Sequence, residues 1–291
     1  MEQKQYYTKA SDSIRLFVRH WTPDGSPLAH IVLIHGFSEH SGRYIHWTER
    51  FVSHGISITA FDLRGHGKSG GLRGHTPSFR QLMRDLDQIL HEVPLSEDLP
   101  LFLYGQSLGG GLVLSYGLNR REGFDGIIAT SPWLKLSTEP KAFVLLLSRG
   151  LKILAPRTVR DSKLDINYLS HDPEVIREYE KDPLTHRKIT PHLFFGARKA
   201  GYKALRHARK LEHPLLLMHG TGDKITSFRA SEQFAQNAVQ AKRDVQFIPW
   251  EGLYHELHHE VEKDHIFTTM LHWIREKAQI KEKDDQPEDQ H

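Results

Sequence analysis

The stretch 101–112, LFLYGQSLGGGL, decides how this chain is read. Leu101, Phe102, Leu103 and Tyr104 form a compact apolar run of the kind a buried strand carries. Gly105-Gln106-Ser107-Leu108-Gly109 follows, and then helix-compatible residues over 110–118. Strand, sharp turn and helix, with a serine at the turn, is the context of a nucleophile elbow. Such a turn strains the serine backbone, so its neighbours must lack side chains that would clash. The serine oxygen then stands at the end of the sheet beside a helix N-terminus. There the Leu108 backbone N–H and the helix dipole can meet a developing oxyanion. A glycine-rich turn with no chemistry would use the same letters, and the rest of the chain decides between the two.

Working outward, strand-like runs recur at 14–21, 30–34, 56–61, 127–130, 214–218 and 245–249. Helical spacing lies between them at 44–52, from Thr76-Pro77 to about 91, at 228–239 and at 259–277. This alternation predicts a mainly parallel central sheet wrapped by helices on both faces. Ligands on such sheets bind at the carboxyl ends of strands. The glycine-rich segments fall there, after Ile34, Phe61, Tyr104 and Met218. Texture changes after Ser131-Pro132. The stretch 133–199 shows no strand alternation, and helical segments are expected at 143–154, from Asp172-Pro173 to 179, and at 191–210. The domain expectation is therefore a core of 1–132 and 206–280, a helical cap inserted at 133–205, and a charged, disordered tail at 281–291.

Composition narrows the classes. The chain has 291 residues, 38% of them hydrophobic, enough for one large core. A net charge of +3, from 39 basic and 36 acidic residues, offers no electrostatic case for nucleic acid. The absence of cysteine removes disulfides, thiolate nucleophiles and cysteine zinc sites from consideration and suits a reducing, cytoplasmic compartment. The first residues, MEQKQYYTKASDS, contain no apolar signal-peptide region. No apolar run approaches the roughly 20 residues of a membrane span.

A serine hydroxyl needs a base, usually histidine, and a carboxylate to fix the imidazole tautomer. Ser107 is followed in chain order by Asp223, in His219-Gly220-Thr221-Gly222-Asp223, and then by His255, in Glu251-Gly252-Leu253-Tyr254-His255. Each follows a strand. Alone, Asp223 would read as a turn residue and His255 as one loop histidine among 21. With the elbow they make a triad in the order serine, acid, histidine. A second oxyanion donor is expected from the turn His35-Gly36-Phe37, through the Phe37 backbone N–H. His35 and His66 read as loop braces, since their place in the chain order does not suit a base.

The block His35-Gly-Phe-Ser-Glu-His-Ser-Gly-Arg-Tyr44 resembles the signature of monoacylglycerol lipases within the α/β-hydrolases. Asp62-Leu-Arg-Gly-His-Gly-Lys-Ser69, Gly105-Gln-Ser-Leu-Gly-Gly110, Tyr254-His255 and Asp182-Pro183-Leu184 are similar to that family too, as are bacterial lysophospholipases. The resemblance implies a serine hydrolase with a helical cap over its site. The implied reaction is cleavage of the ester of a small lipid, a monoacylglycerol to fatty acid and glycerol. Lysophospholipids or a broader set of carboxylic esters are the alternatives. No metal or organic cofactor is implied. Phe143, Val144, Leu145, Leu146, Leu147, Leu151 and Ile153, with Leu146 and Leu147 foremost, would line an acyl channel, although apolar residues at helical spacing are more often core. Glu39 and Arg43 would form either a polar wall for glycerol or an ion pair. The lipid substrate further implies transient contact of the cap with a membrane surface. Oligomeric state is not legible.

Two rival motifs and one rival class stand beside this reading. His255-Glu256-Leu257-His258-His259 satisfies H-E-x-x-H, which binds zinc only when both histidines share a helix face. His255 is expected in a loop, and no clear third ligand follows. Gly67-Lys68-Ser69 ends like a P-loop, but Asp62 stands where its first glycine belongs. A non-catalytic ligand-binding protein on the same fold is the rival class, since fold does not fix function.

Overall fold

A computed structural model describes residues 1–93, 98–142, 145–146, 150, 154–155 and 157–280. Eight strands form one sheet, β1 (Glu2–Lys9), β2 (Arg15–Thr22), β3 (Ala29–Ile34), β4 (Ile56–Phe61), β5 (Leu101–Gln106), β6 (Gly126–Thr130), β9 (Leu215–Gly220) and β10 (Val245–Trp250). Their order is β1-β2-β4-β3-β5-β6-β9-β10. The first two pairings, β1 with β2 and β2 with β4, are antiparallel, and all the others are parallel. The inner strands β3, β4, β5, β6 and β9 are buried along their length, which is why they read as continuous apolar runs.

Alternate side chains of these strands feed two cores. Ile31, Leu33, Phe102, Tyr104, Leu216 and Met218 pack under α1 (Ile45–Ser53) and α7 (Lys263–Lys277). Val32, Ile34, Leu101, Leu103, Leu215 and Leu217 pack under α2 (Phe79–Glu92), α3 (Leu108–Gly117), α5 (Pro191–His207) and α6 (Phe228–Gln240). This is the α/β-hydrolase fold, with helices on both faces of a mainly parallel sheet.

Three features differ from the sequence reading. β1 has no counterpart in it, because seven of its eight residues are exposed and no apolar alternation marks an edge strand paired on one side only. The last helix starts at Lys263, and Leu257–His259 is a separate 3-10 turn. The third concerns α5, which falls inside the insertion expected at 133–205. Leu193, Ala197, Ala204 and Leu205 of α5 belong to the main core, and Gly201 packs against the Leu134 backbone. So α5 is a helix of the sheet layer, within the range expected for the cap. Within it lie α4 (Pro173–Lys181) and a two-residue ladder of β7 (Arg160–Asp161) with β8 (Lys188–Ile189). Much of the expected helix at 143–154, including Leu147, and the tail at 281–291 lie outside the described residues.

Candidate active site

Ser107 sits between β5 and α3 with φ 52° and ψ −112°, a conformation L-residues adopt only where the surroundings compel it. The compulsion comes from hydrogen bonds on both sides. Ser107 N–H donates to Thr130 O at 2.9 Å, and its carbonyl accepts from Gly111 N–H at 2.9 Å and Trp133 N–H at 2.8 Å. Glycine at 109 is required because a methyl there would overlap the Ile34 carbonyl. The turn after β3 reaches the same place. A Cβ on Gly36 would stand 3.2 Å from Ser107 Cβ and 2.6 Å from Glu39 Oε1. The residue that follows, Phe37, and Leu108 at the start of α3 therefore flank the serine. The Leu108 N–H belongs to the first turn of a helix, where no intrahelical acceptor exists.

Asp223 follows β9 and is the most heavily hydrogen-bonded carboxylate of the site. Its Oδ1 accepts the backbone N–H groups of Ile225 at 2.7 Å and Thr226 at 3.0 Å. Its Oδ2 lies 2.7 Å from His255 Nδ1, 3.0 Å from His219 Nε2 and 2.8 Å from Thr226 Oγ1. The Thr226 hydroxyl also lies 2.9 Å from Ser131 O, and its single proton serves one acceptor at a time. Burial alone would raise the Asp223 pKa. The charge of His255 and the bonds from both histidines outweigh it and hold the carboxyl far below its ordinary range. Burial likewise pulls His255 down, but the Asp223 charge and hydrogen bond leave its pKa raised above 6.5. The His255 loop is fixed from two sides. Gln106 Nε2 donates to its carbonyl at 3.3 Å, and the insertion holds the backbone through His255 N–H to Tyr168 O at 3.3 Å and Glu256 N–H to Leu169 O at 2.7 Å.

Ser107 and His255 open into one cavity of about 660 Å³. Phe37, Trp133, Leu136, Leu169, Phe194 and Ile225 give it an apolar wall. The insertion supplies Leu164, Leu169 and Tyr179, and Lys141, Lys163 and Lys224 also reach the cavity. Leu146 is absent from the lining and 67% exposed.

Glu39 and Arg43 separate. Glu39 lines the cavity but its Oε1 is taken by Gly36 N–H at 2.5 Å and Tyr44 O–H at 2.8 Å. Arg43 lies behind that wall, forking onto Glu256 at 2.6 and 2.8 Å and reaching Glu39 at 3.1 Å. It faces a second cavity of about 580 Å³ that contains none of Ser107, Asp223 and His255. Arg43 also bears on the H-E-x-x-H motif. His255 is engaged by Asp223, and Glu256 is neutralised by the guanidinium. His259 lies 2.8 Å from Glu256 and donates through Nε2 to Arg43 O at 3.1 Å. Glu256, His258 and His259 do converge, but the cation their carboxylate serves is Arg43. The two other histidines brace loops as expected. His35 accepts Leu63 N–H at 2.8 Å, and His66 donates to Arg64 O at 3.0 Å.

Comparison with known proteins gives the chain its family. The sequence model of the family described as "Serine aminopeptidase, S33" matches residues 25–262. The chain belongs to this family. A Dictyostelium discoideum protein described as an uncharacterized abhydrolase domain-containing protein is 38% identical over 92% of the chain, which spans only 28% of that protein. Phospholipase YtpA of Bacillus subtilis is 33% identical over 85% of this chain and 95% of its own length. The crystal structure of Paleococcus ferrophilus monoacylglycerol lipase superposes with a TM-score of 0.82 at 31% identity, covering 90% of this chain and 99% of that one. This member of the family is an ester hydrolase of the α/β-hydrolase fold.

Four residues of the site escape sequence reasoning. Gln106 and Glu256 occupy positions of the elbow and of the H-E-x-x-H pattern, but neither pattern marks the bond each makes here. Thr226 and His219 lie three and four positions from Asp223, and nothing in their spacing distinguishes them from loop and strand residues.

Proposed function

We propose that this hydrolase cleaves the carboxylic ester of a single-chain lipid, a monoacylglycerol to fatty acid and glycerol, through a Ser107–His255–Asp223 triad. The observation that carries the reading is the 660 Å³ cavity. Its apolar wall suits one acyl chain, and the strained serine and the Asp223-bound histidine both open into it. An aminopeptidase reading would need a free anion for the substrate ammonium. Of the carboxylates lining the cavity, Glu39 and Glu256 are occupied by Arg43 and Glu139 by Arg198, and Asp165 is an exposed turn residue whose Oδ1 accepts from Asn167.

In the first step Ser107 Oγ attacks the ester carbon while His255 Nε2 takes its proton. Asp223 holds the Nδ1–H tautomer and stabilises the imidazolium. The tetrahedral oxyanion is held by the N–H groups of Phe37 and Leu108, each contributing roughly 3 kcal/mol. Collapse breaks the bond to the glycerol oxygen, which receives the His255 proton. Water then attacks the acyl-enzyme with His255 as base, and the fatty acid leaves from Ser107.

A second reading, lysophospholipid hydrolysis, has its own observation. Lys141, Lys163 and Lys224 at the cavity have no salt-bridge partner among the described residues, and they suit a phosphate-bearing head group. Insertion residues Leu146 and Leu154, 67% and 86% exposed, further favour transient membrane contact. Polar replacement of both should weaken vesicle binding, and undiminished binding would count against that contact.

The test is fluorophosphonate labelling with the adduct located by mass spectrometry, followed by matched monoacylglycerol and lysophospholipid panels at two salt concentrations. The proposal expects an adduct on Ser107, none in Ser107→Ala, and turnover of monoacylglycerol that ignores salt. A preference for the lysophospholipid that fades with salt would favour the second reading. Labelling elsewhere in a folded protein would reject the triad.

A further inference from the structure

His219, at the end of β9, is fully buried and reaches two polar partners. Its Nε2 lies 3.0 Å from Asp223 Oδ2, and its Nδ1 lies 2.8 Å from Ser231 Oγ on α6. An ionised carboxylate only accepts, so His219 Nε2 must carry the hydrogen. Nδ1 is then a lone pair, and the Ser231 hydroxyl must donate to it. The chain of donors runs Ser231 to His219 to Asp223, and it meets the His255 Nδ1–H on the same oxygen. We propose that His219, its tautomer fixed by Ser231, is a positioning residue that shares the Asp223 carboxylate with His255 and so sets how readily His255 gives up its proton. This rests on the triad reading above.

The physical argument is competition for one oxygen. Each donor to Oδ2 draws off part of the charge that stabilises the His255 imidazolium. With His219 in place, His255 is a base at a lower pH than Asp223 alone would allow. Other groups face the pair. Glu256 and Glu39 both raise His255 by their charge, and Arg43 stands beyond them as their counter-ion. Tyr179 and Lys224 line the same cavity. Thr226 and the Ile225 and Thr226 N–H groups bind Asp223, while the Phe228 ring packs edge-on to His219 at 5.9 Å. Among the described residues, only His219 offers Asp223 a second imidazole.

The test is the pH profile of kcat/KM in the full chain, with Ser107 labelling as the control. His219→Met should shift the acid limb upward by about one pH unit, because more charge is returned to Oδ2. His219→Gln, which keeps an N–H at that place, should restore the wild-type limb. Ser231→Ala should move it in the same direction as His219→Met but by less, and 15N spectroscopy of the wild type should place the His219 proton on Nε2. A His219→Met limb that coincides with wild type while labelling persists would overturn the proposal. Should that variant not fold, an unmoved limb in Ser231→Ala or an Nδ1–H tautomer in the wild type would do the same. Absence of a wild-type adduct on Ser107 would instead strike the triad reading and the inference together.

Discussion

Gly109 shows how little freedom a single residue has at this site. A methyl there would meet the Ile34 and His35 carbonyls, which belong to the strand and turn carrying Phe37. Neither is the end of a flexible side chain, so the elbow or β3 would have to move. Gly109→Ala should cost at least 1–3 kcal/mol of stability by overpacking. It should slow fluorophosphonate labelling of Ser107 more than tenfold, read against urea denaturation of the same sample. Unchanged labelling would mean the two loops are not as tightly coupled as the contact implies. Asp223→Asn preserves shape but supplies a donor where His255 needs an acceptor, and should lower kcat by on the order of 10³–10⁴. At this scale the sequence is legible where chemistry needs a fixed residue in a fixed order, as with Ser107, Asp223 and His255. It is silent on His219 and Thr226, because their role depends on which way β9 and the loop after it turn their side chains. Glu39 and Arg43 are legible as an ion pair, but the second carboxylate that Arg43 holds is not. That carboxylate, Glu256, lies 213 positions away and leaves no trace in local spacing.

Among elements, Arg43 ties three segments together. It pairs with Glu39 after β3, forks onto Glu256 in the histidine loop, and stands 5.0 Å from the Tyr179 ring of α4. The insertion is clamped to the same turn by Ser38 with Tyr179 and by His40 Nε2 with Asp182 Oδ2 at 2.8 Å, and to the loop after β4 by His186 with Gly65 O at 3.1 Å. Arg43→Met would leave two buried carboxylates without a counter-ion. The expected cost is about 3–5 kcal/mol in urea denaturation. It should fall largely away in Arg43→Met/Glu256→Gln, which removes one of the two charges. A double variant as unstable as the single would show that packing, and not charge, is what Arg43 contributes. The elements themselves were readable in proportion to their burial. β3, β4, β5 and β9 announce themselves as apolar runs, while β1 pairs on one side only and shows no pattern to the eye. The end of the insertion is hard to read because α5 has the same helical spacing whether it covers a cavity or the sheet. Only its packing against α3 decides.

For the whole molecule, the 21 histidines impose a pH dependence that no single motif predicts. Eight of them, His20, His30, His35, His46, His66, His75, His186 and His258, have pKa values lowered chiefly by burial. His30 is pulled down to about 3 and His35 to about 4, from an ordinary 6.5. A histidine lowered in the folded state binds fewer protons there than in the unfolded chain. Its contribution to stability is complete above pH 6.5 and is lost as pH falls toward the folded value. At pH 4, His30 and His35 would each have lost about 3 kcal/mol. His255 has the opposite sign, since Asp223 raises it, so the base is switched off by protonation above pH 6.5. The two effects should separate on one axis. On acidification kcat/KM falls first, reversibly and with the far-ultraviolet circular dichroism unchanged. The urea midpoint falls next, between pH 6.5 and 4, as the buried imidazoles are forced to charge. Activity and urea midpoint falling together on a single curve would mean that inactivation is unfolding, and that the raised His255 does not govern the acid limb. A urea midpoint level between pH 6.5 and 4 would mean that the buried histidines find water or partners when charged, and that burial does not hold them neutral.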